Sequence, residues 1–92
     1  MNITLTYFGQ LRQLAGVESE TRTFEDGASL TGLLEDVAAG HGERFGAILF
    51  DENHALRPSV MILVNETPVD KGSLPSLSDQ DKVSLLPAIA GG

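Results

Sequence analysis

The stretch Ser29-Leu30-Thr31-Gly32-Leu33-Leu34-Glu35-Asp36-Val37-Ala38 decides the fold of this chain. Leu30, Leu33, Leu34, Val37 and Ala38 recur at i, i+3, i+4, i+7 and i+8, which lines them up as one apolar stripe on a helix. Ser29 stands where its side-chain oxygen can cap the free N–H groups of the first turn. Gly40-His41-Gly42 is read as the stop. A helix with a single apolar stripe needs another element to cover, and the flanking segments supply strands.

Upstream, Ile3, Leu5 and Tyr7 alternate with Thr4, Thr6 and Phe8 at the period of a half-buried strand. Gly9 breaks that strand. Leu11, Leu14 and Ala15 then predict a short helical turn ending at Gly16. Ser19 to Phe24, polar on both faces and rich in Thr, predicts an edge strand.

Downstream, Glu43 to Arg57 is irregular and reads as a loop or short helical turn that packs Phe45, Ile48, Leu49 and Phe50 over the core edge. Val60-Met61-Ile62-Leu63-Val64 is apolar on both faces, the pattern of a short, buried, well-covered strand. Asn65-Glu66-Thr67-Pro68 reads as a turn, with Val69 opening a further short strand. Ser78 to Asp81 is another turn, and Lys82-Val83-Ser84-Leu85-Leu86 is the last strand, closed by Pro87. The order predicts an α+β domain, one mixed sheet with a main helix across one face. If the first strand pairs with the last, both lie in the middle of the sheet. Residues 1–87 are then the domain, and 88–92 a flexible tail that leaves beside the sheet centre.

Composition narrows the function. The 92 residues carry 6 Lys+Arg against 13 Asp+Glu, a formal charge of −7, and no cysteine. A chain this short forms one core and buries roughly 60–65% of its unfolded surface. Without Cys there is no disulfide framework, thiolate zinc site or cysteine nucleophile. Arg12, Arg22, Arg44, Arg57, Lys71 and Lys82 are scattered, so no basic stripe exists for nucleic acid. No run approaches the ~20 apolar residues of a membrane span and the start carries no charged leader, which predicts a cytoplasmic protein.

Motif matches are few. Gly40-x-Gly42-x-x-x-Gly46 follows a helix, where a dinucleotide loop follows a strand. His41 and His54 fall in expected loops without partners at metal-ligand spacing and read as solvated, so no metal site is expected. Glu25-Asp26, Glu35-Asp36 and Asp51-Glu52 are sequence neighbours pointing to different sides. A core spent on one helix and one sheet leaves little interior for a substrate pocket of ~300 Å³. The expectation is a protein with no catalytic residues of its own and no bound cofactor.

The ending Gly91-Gly92 stands apart. With no Cβ on either residue, an extended tail can enter a channel too narrow for side chains and present its terminal carboxylate uncrowded. That carboxylate, with a reference pKa of about 3.3–3.7, is ionised at neutral pH and needs activation by a partner before it can react.

Four segments in order, Tyr7-Phe8-Gly9-Gln10-Leu11-Arg12-Gln13-Leu14-Ala15-Gly16, Val64-Asn65-Glu66-Thr67, Asp79-Gln80-Asp81-Lys82-Val83 and Leu86-Pro87-Ala88-Ile89-Ala90-Gly91-Gly92, resemble the ThiS/MoaD sulfur carriers of ubiquitin-like β-grasp fold. The resemblance implies that an ATP-dependent activating enzyme of MoeB/ThiF type adenylates Gly92. A sulfur donor then converts the acyl-adenylate to a thiocarboxylate. In the MoaD branch the acceptor is the large subunit of molybdopterin synthase, and the product serves molybdenum cofactor biosynthesis. Gly91 and Gly92 are the functional residues carried over. Phe8 and Leu86 match positions of an apolar docking patch, and Phe8 is equally readable as core.

The sequence departs from the family pattern twice. Gln80 stands where glycine is usual, and Pro87-Ala88 replaces the two prolines common in MoaD. The start resembles MoaD, whereas the tail resembles CysO, a carrier that delivers sulfur for cysteine synthesis. The alternatives are therefore delivery for cysteine, thiamine or thionucleoside synthesis, or a ubiquitin-like modifier conjugated through Gly92.

Overall fold

The computed structural model describes residues 1–87, and the expected tail, with Gly91 and Gly92, lies outside them. The element order is β1 (Asn2–Tyr7), α1 (Gly9–Ala15), β2 (Ser19–Thr23), α2 (Leu30–His41), α3 (Glu43–Leu49), β3 (Val60–Val64), β4 (Thr67–Pro68) and β5 (Lys82–Pro87). Among the described residues no helix is long and apolar enough to cross a membrane.

The strands form one mixed sheet in the order β2-β1-β5-β3-β4. β1 runs parallel to β5, with Tyr7 opposite Leu85, and antiparallel to β2, with Leu5 opposite Glu20. β5 runs antiparallel to β3, with Leu86 opposite Met61 and Pro87 opposite Val60. The first strand does pair with the last, and both lie inside the sheet with a strand on either side.

Strand parity sends Ile3, Leu5, Tyr7, Val60, Ile62, Val83 and Leu85 to the helix side, where all are buried. α2 lays Leu30, Leu33, Leu34, Val37 and Ala38 over them, and Phe45 and Leu49 of α3 close the remaining edge. Each fully buried Leu of that stripe contributes about 1.5–3 kcal/mol relative to exposure. The Ser29 side chain accepts from the Gly32 N–H at 3.0 Å, the expected cap.

Several expectations need correction. The helix passes through Gly40 and His41 and stops at Gly42, whose φ of 102° is a conformation L side chains rarely adopt. The 43–57 segment takes the helical of its two expected forms, as a helix of seven residues, α3, in which Phe45, Ile48 and Leu49 keep helical spacing around Gly46 and Ala47. β3 is not covered on both faces: Met61 is 54% exposed, because among the described residues no helix lies on that side of the sheet. β4 occupies Thr67–Pro68 and not Val69, since Asn65 and Glu66 both take positive φ and make a two-residue hairpin turn.

Candidate functional site

β5 carries the chain toward its C-terminal residues along the centre of the sheet, and the surroundings of Pro87 define the candidate site. On one side the Phe8 N–H donates to the Leu85 carbonyl at 3.2 Å. Gly9 follows with φ +57°, and a Cβ there would meet Pro87 Cγ at 3.4 Å, so the turn from β1 into α1 fits closely against the last residue of β5. On the other side Pro87 pairs with Val60.

Phe8 is half-buried and lies outside the core cluster, which decides between its two sequence readings as to place. Its backbone is extended, φ −126° and ψ 155°, so it continues the outward parity of Thr4 and Thr6 onto the open sheet face. The Arg12 guanidinium stands over its ring, 5.5 Å from the centroid. Leu86, half-buried, falls one register step beyond Tyr7–Leu85 on that same face and is paired with the exposed Met61. A shallow groove of about 450 Å³ runs past Met61, Pro68, Leu86 and Pro87.

Sequence reading missed two contributors. Met61 was hidden in a continuous apolar run, although its register opposite Leu86 gives its direction. Lys71 borders the groove and its ammonium donates to the carbonyls of Arg57, at 2.9 Å, and Val60. Burial lowers its pKa from the ordinary lysine value. The lysine thereby ties the loop after β4 to the strand that flanks β5.

Across the sheet, His41 corrects the solvated reading. Its side chain is mostly buried in the last turn of α2, and Nε2 lies 2.5 Å from Glu20 Oε2. The Tyr7 hydroxyl donates to that oxygen at 2.6 Å, and Arg22 Nε donates to Glu20 Oε1 at 3.0 Å. Burial opposes ionisation of Glu20, yet the hydrogen bonds from Tyr7, His41 and Arg22 outweigh it and hold the carboxyl at about 2. Burial, reinforced by Glu20, pushes the Tyr7 phenol above its ordinary range. This cluster joins β1, β2 and α2 and lies on the helix side, away from Phe8 and Leu86. His54 is exposed in the loop after α3.

The turn before β5 keeps its shape without glycine. Gln80 takes a left-handed φ of 72°, its N–H donates to the Asn2 carbonyl at 2.8 Å, and the Asn2 N–H donates to Asp79 Oδ1 at 2.6 Å.

Comparison with known proteins agrees with this architecture. The chain is 27% identical to the molybdopterin synthase sulfur carrier subunit of Chlamydomonas reinhardtii and 29% identical to small archaeal modifier protein 3 of Haloferax volcanii, with all of each chain covered. Among solved structures, SAMP1 of Haloferax volcanii superposes with a TM-score of 0.84 at 18% identity, covering all of both chains, which shows the ubiquitin-like β-grasp fold. A structure of the BexX/CysO complex of Amycolatopsis orientalis matches with a TM-score of 0.70 at 27% identity, covering 98% of this chain and 99% of that one. The ThiS family model matches residues 5–92, and the chain belongs to the ThiS family.

Proposed function

We propose that this protein is a sulfur carrier whose Gly92 carboxylate is adenylated and converted to a thiocarboxylate that donates sulfur in molybdopterin biosynthesis. One observation carries the reading: the ThiS family match runs through Gly91-Gly92, and the strand leading to them emerges at the sheet centre beside an uncovered apolar patch. A carboxylate is a poor electrophile until a good leaving group is attached. Attack of the carboxylate on the α-phosphate of ATP, within an activating enzyme of MoeB/ThiF type, forms the acyl-adenylate and releases pyrophosphate. A sulfide-equivalent donor then forms the C–S bond as the C–O bond to AMP breaks.

The chain's own part is presentation. Gly91 and Gly92 offer no side chain to a narrow partner channel. Phe8 and Leu86, with Met61, give an activating enzyme or an acceptor such as the molybdopterin synthase large subunit an apolar surface next to Pro87. The molybdopterin assignment is supported by the Chlamydomonas relative, matched along its full length. Incubation with ATP, an activating enzyme and a sulfur source tests it by intact mass: an oxygen-to-sulfur exchange at Gly92 supports the carrier, and its absence removes it. Adding the synthase large subunit and precursor pterin then tests the pathway.

The similarity to small archaeal modifier protein 3 favours one second reading, conjugation of Gly92 to lysines of other proteins. Conjugates that survive reducing agent and disappear when Gly92 is deleted support it; thioester adducts do not.

A further inference from the structure

The helix side carries a second groove, of about 510 Å³, where α2, α3 and the loop after α3 meet. The expectation of little room for a pocket overlooked this surface cleft. Its floor is Ala38, Gly46 and Phe50, of which Ala38 and Phe50 are 7% and 8% exposed. A Cβ at Gly46 would meet Ala38 Cβ at 3.7 Å, ordinary contact. The packing of the two helices therefore does not require glycine at this position.

The charge around the floor is mostly negative. Glu35, Glu43 and Glu52 are exposed on the rim and make no ion pair among the described residues. Asp51 also lines the groove, but its carboxylate accepts from the backbone N–H groups of Asn53 and Ala55. The cation there is Arg57, whose Nε donates to the carbonyls of Ala47 and Phe50, and the exposed His54 also lines the groove.

We propose that this groove docks an amphipathic, lysine- or arginine-bearing helical segment of a partner protein, with one bulky apolar side chain seated over Ala38, Gly46 and Phe50. The basic side chains of that segment pair with Glu35, Glu43 and Glu52. An anionic membrane or a nucleic acid is repelled by the same rim, and a second copy of a chain with charge −7 is disfavoured for the same reason. The groove lies across the sheet from Phe8 and Leu86, so a partner seated in it leaves the face beside Pro87 open. The inference does not depend on sulfur transfer, and thiocarboxylate formation is read separately.

The test is a titration of the isotope-labelled full chain with a synthetic Leu/Lys amphipathic helical peptide, followed by NMR. Backbone shifts centred on Ala38, Ala39, Gly42, Gly46 and Phe50 are expected, with affinity falling as salt rises. The double variant Glu35→Lys/Glu43→Lys is expected to weaken binding roughly tenfold. Gly46→Leu, which fills the floor, is expected to weaken it comparably with both rim charges intact. Melting temperatures check that both variants fold. Shifts centred on Phe8, Met61 and Leu86, equal binding of a Leu/Glu peptide or of anionic vesicles, or unchanged affinity in both variants would overturn the proposal.

Discussion

The Tyr7 hydroxyl sits 2.6 Å from Glu20 Oε2, so the central strand β1 and the edge strand β2 are joined by a charge-assisted hydrogen bond on the helix side of the sheet. His41 closes on the same oxygen from the end of α2. The arrangement gives an otherwise polar edge strand a fixed place under the helix, and it makes that place sensitive to protonation.

Stability is expected to fall in acid through Glu20. Its folded value of about 2 is below its ordinary value of 4.5, so the folded state favours the carboxylate. The stabilisation is fully present above about 4.5 and is lost as pH falls toward 2. Allowing for solvent screening at a partly exposed group, it is about 1–2 kcal/mol. Glu20→Gln is expected to melt lower than wild type at pH 7 and to converge with it by pH 2. A constant difference across thermal melts over that range would show that ionisation of Glu20 is not the cause.

Gln80→Gly is expected to stabilise the domain. A non-glycine residue in left-handed backbone costs roughly 1 kcal/mol, partly offset by the greater chain entropy of glycine. A net gain of about 0.5 kcal/mol corresponds to a rise of roughly 2–4 °C in Tm for a domain of this size. Gln80→Ala, which keeps the strained conformation, serves as the comparison in calorimetry and is expected to give no gain.

Phe8→Ala and Leu86→Ser test the docking face proposed for these residues. Neither side chain belongs to the buried core, so Tm is expected to move by only a few degrees. Thiocarboxylate formation at limiting activating enzyme is expected to fall about tenfold or more, as truncation of an interface anchor does. Full activity in both variants would assign docking elsewhere.

Adding one residue after Gly92 is expected to abolish sulfur transfer and leave Tm unchanged, because the described core is built from residues Ile3 to Leu85. Intact mass and a thermal melt on the same preparation read the two effects. A large fall in Tm would mean that the tail contributes to the folded domain.

Much of the fold was legible because its signals are periodic. Ile3-Leu5-Tyr7 and Val83-Leu85 alternate with a period of two, and Leu30 to Ala38 repeats at helical spacing, so the central strands and the helix across them follow from the residues. The rest was hidden by local composition. Gly40 looks like a helix stop, but a Cβ there would stand 3.1 Å from the Arg22 guanidinium; its small size admits that side chain, and the helix continues to His41. Histidine in an apparent loop therefore concealed the Glu20 cluster. The apolar run of β3 could not say that Met61 faces away from α2, since an uncovered sheet face beside Leu86 shares its residue types with a core. The role proposed for Gly91-Gly92 rests on resemblance and not on periodicity.

The parallel pairing of β1 with β5 also sets how the molecule bears force. A pull on the C-terminal end of β5 acts along a strand that is hydrogen-bonded to β1 on one flank and β3 on the other. With β1 and β5 parallel, tension between the two chain ends loads their hydrogen bonds in shear, together and not one after another. The sheet therefore resists being unzipped from its C-terminal end.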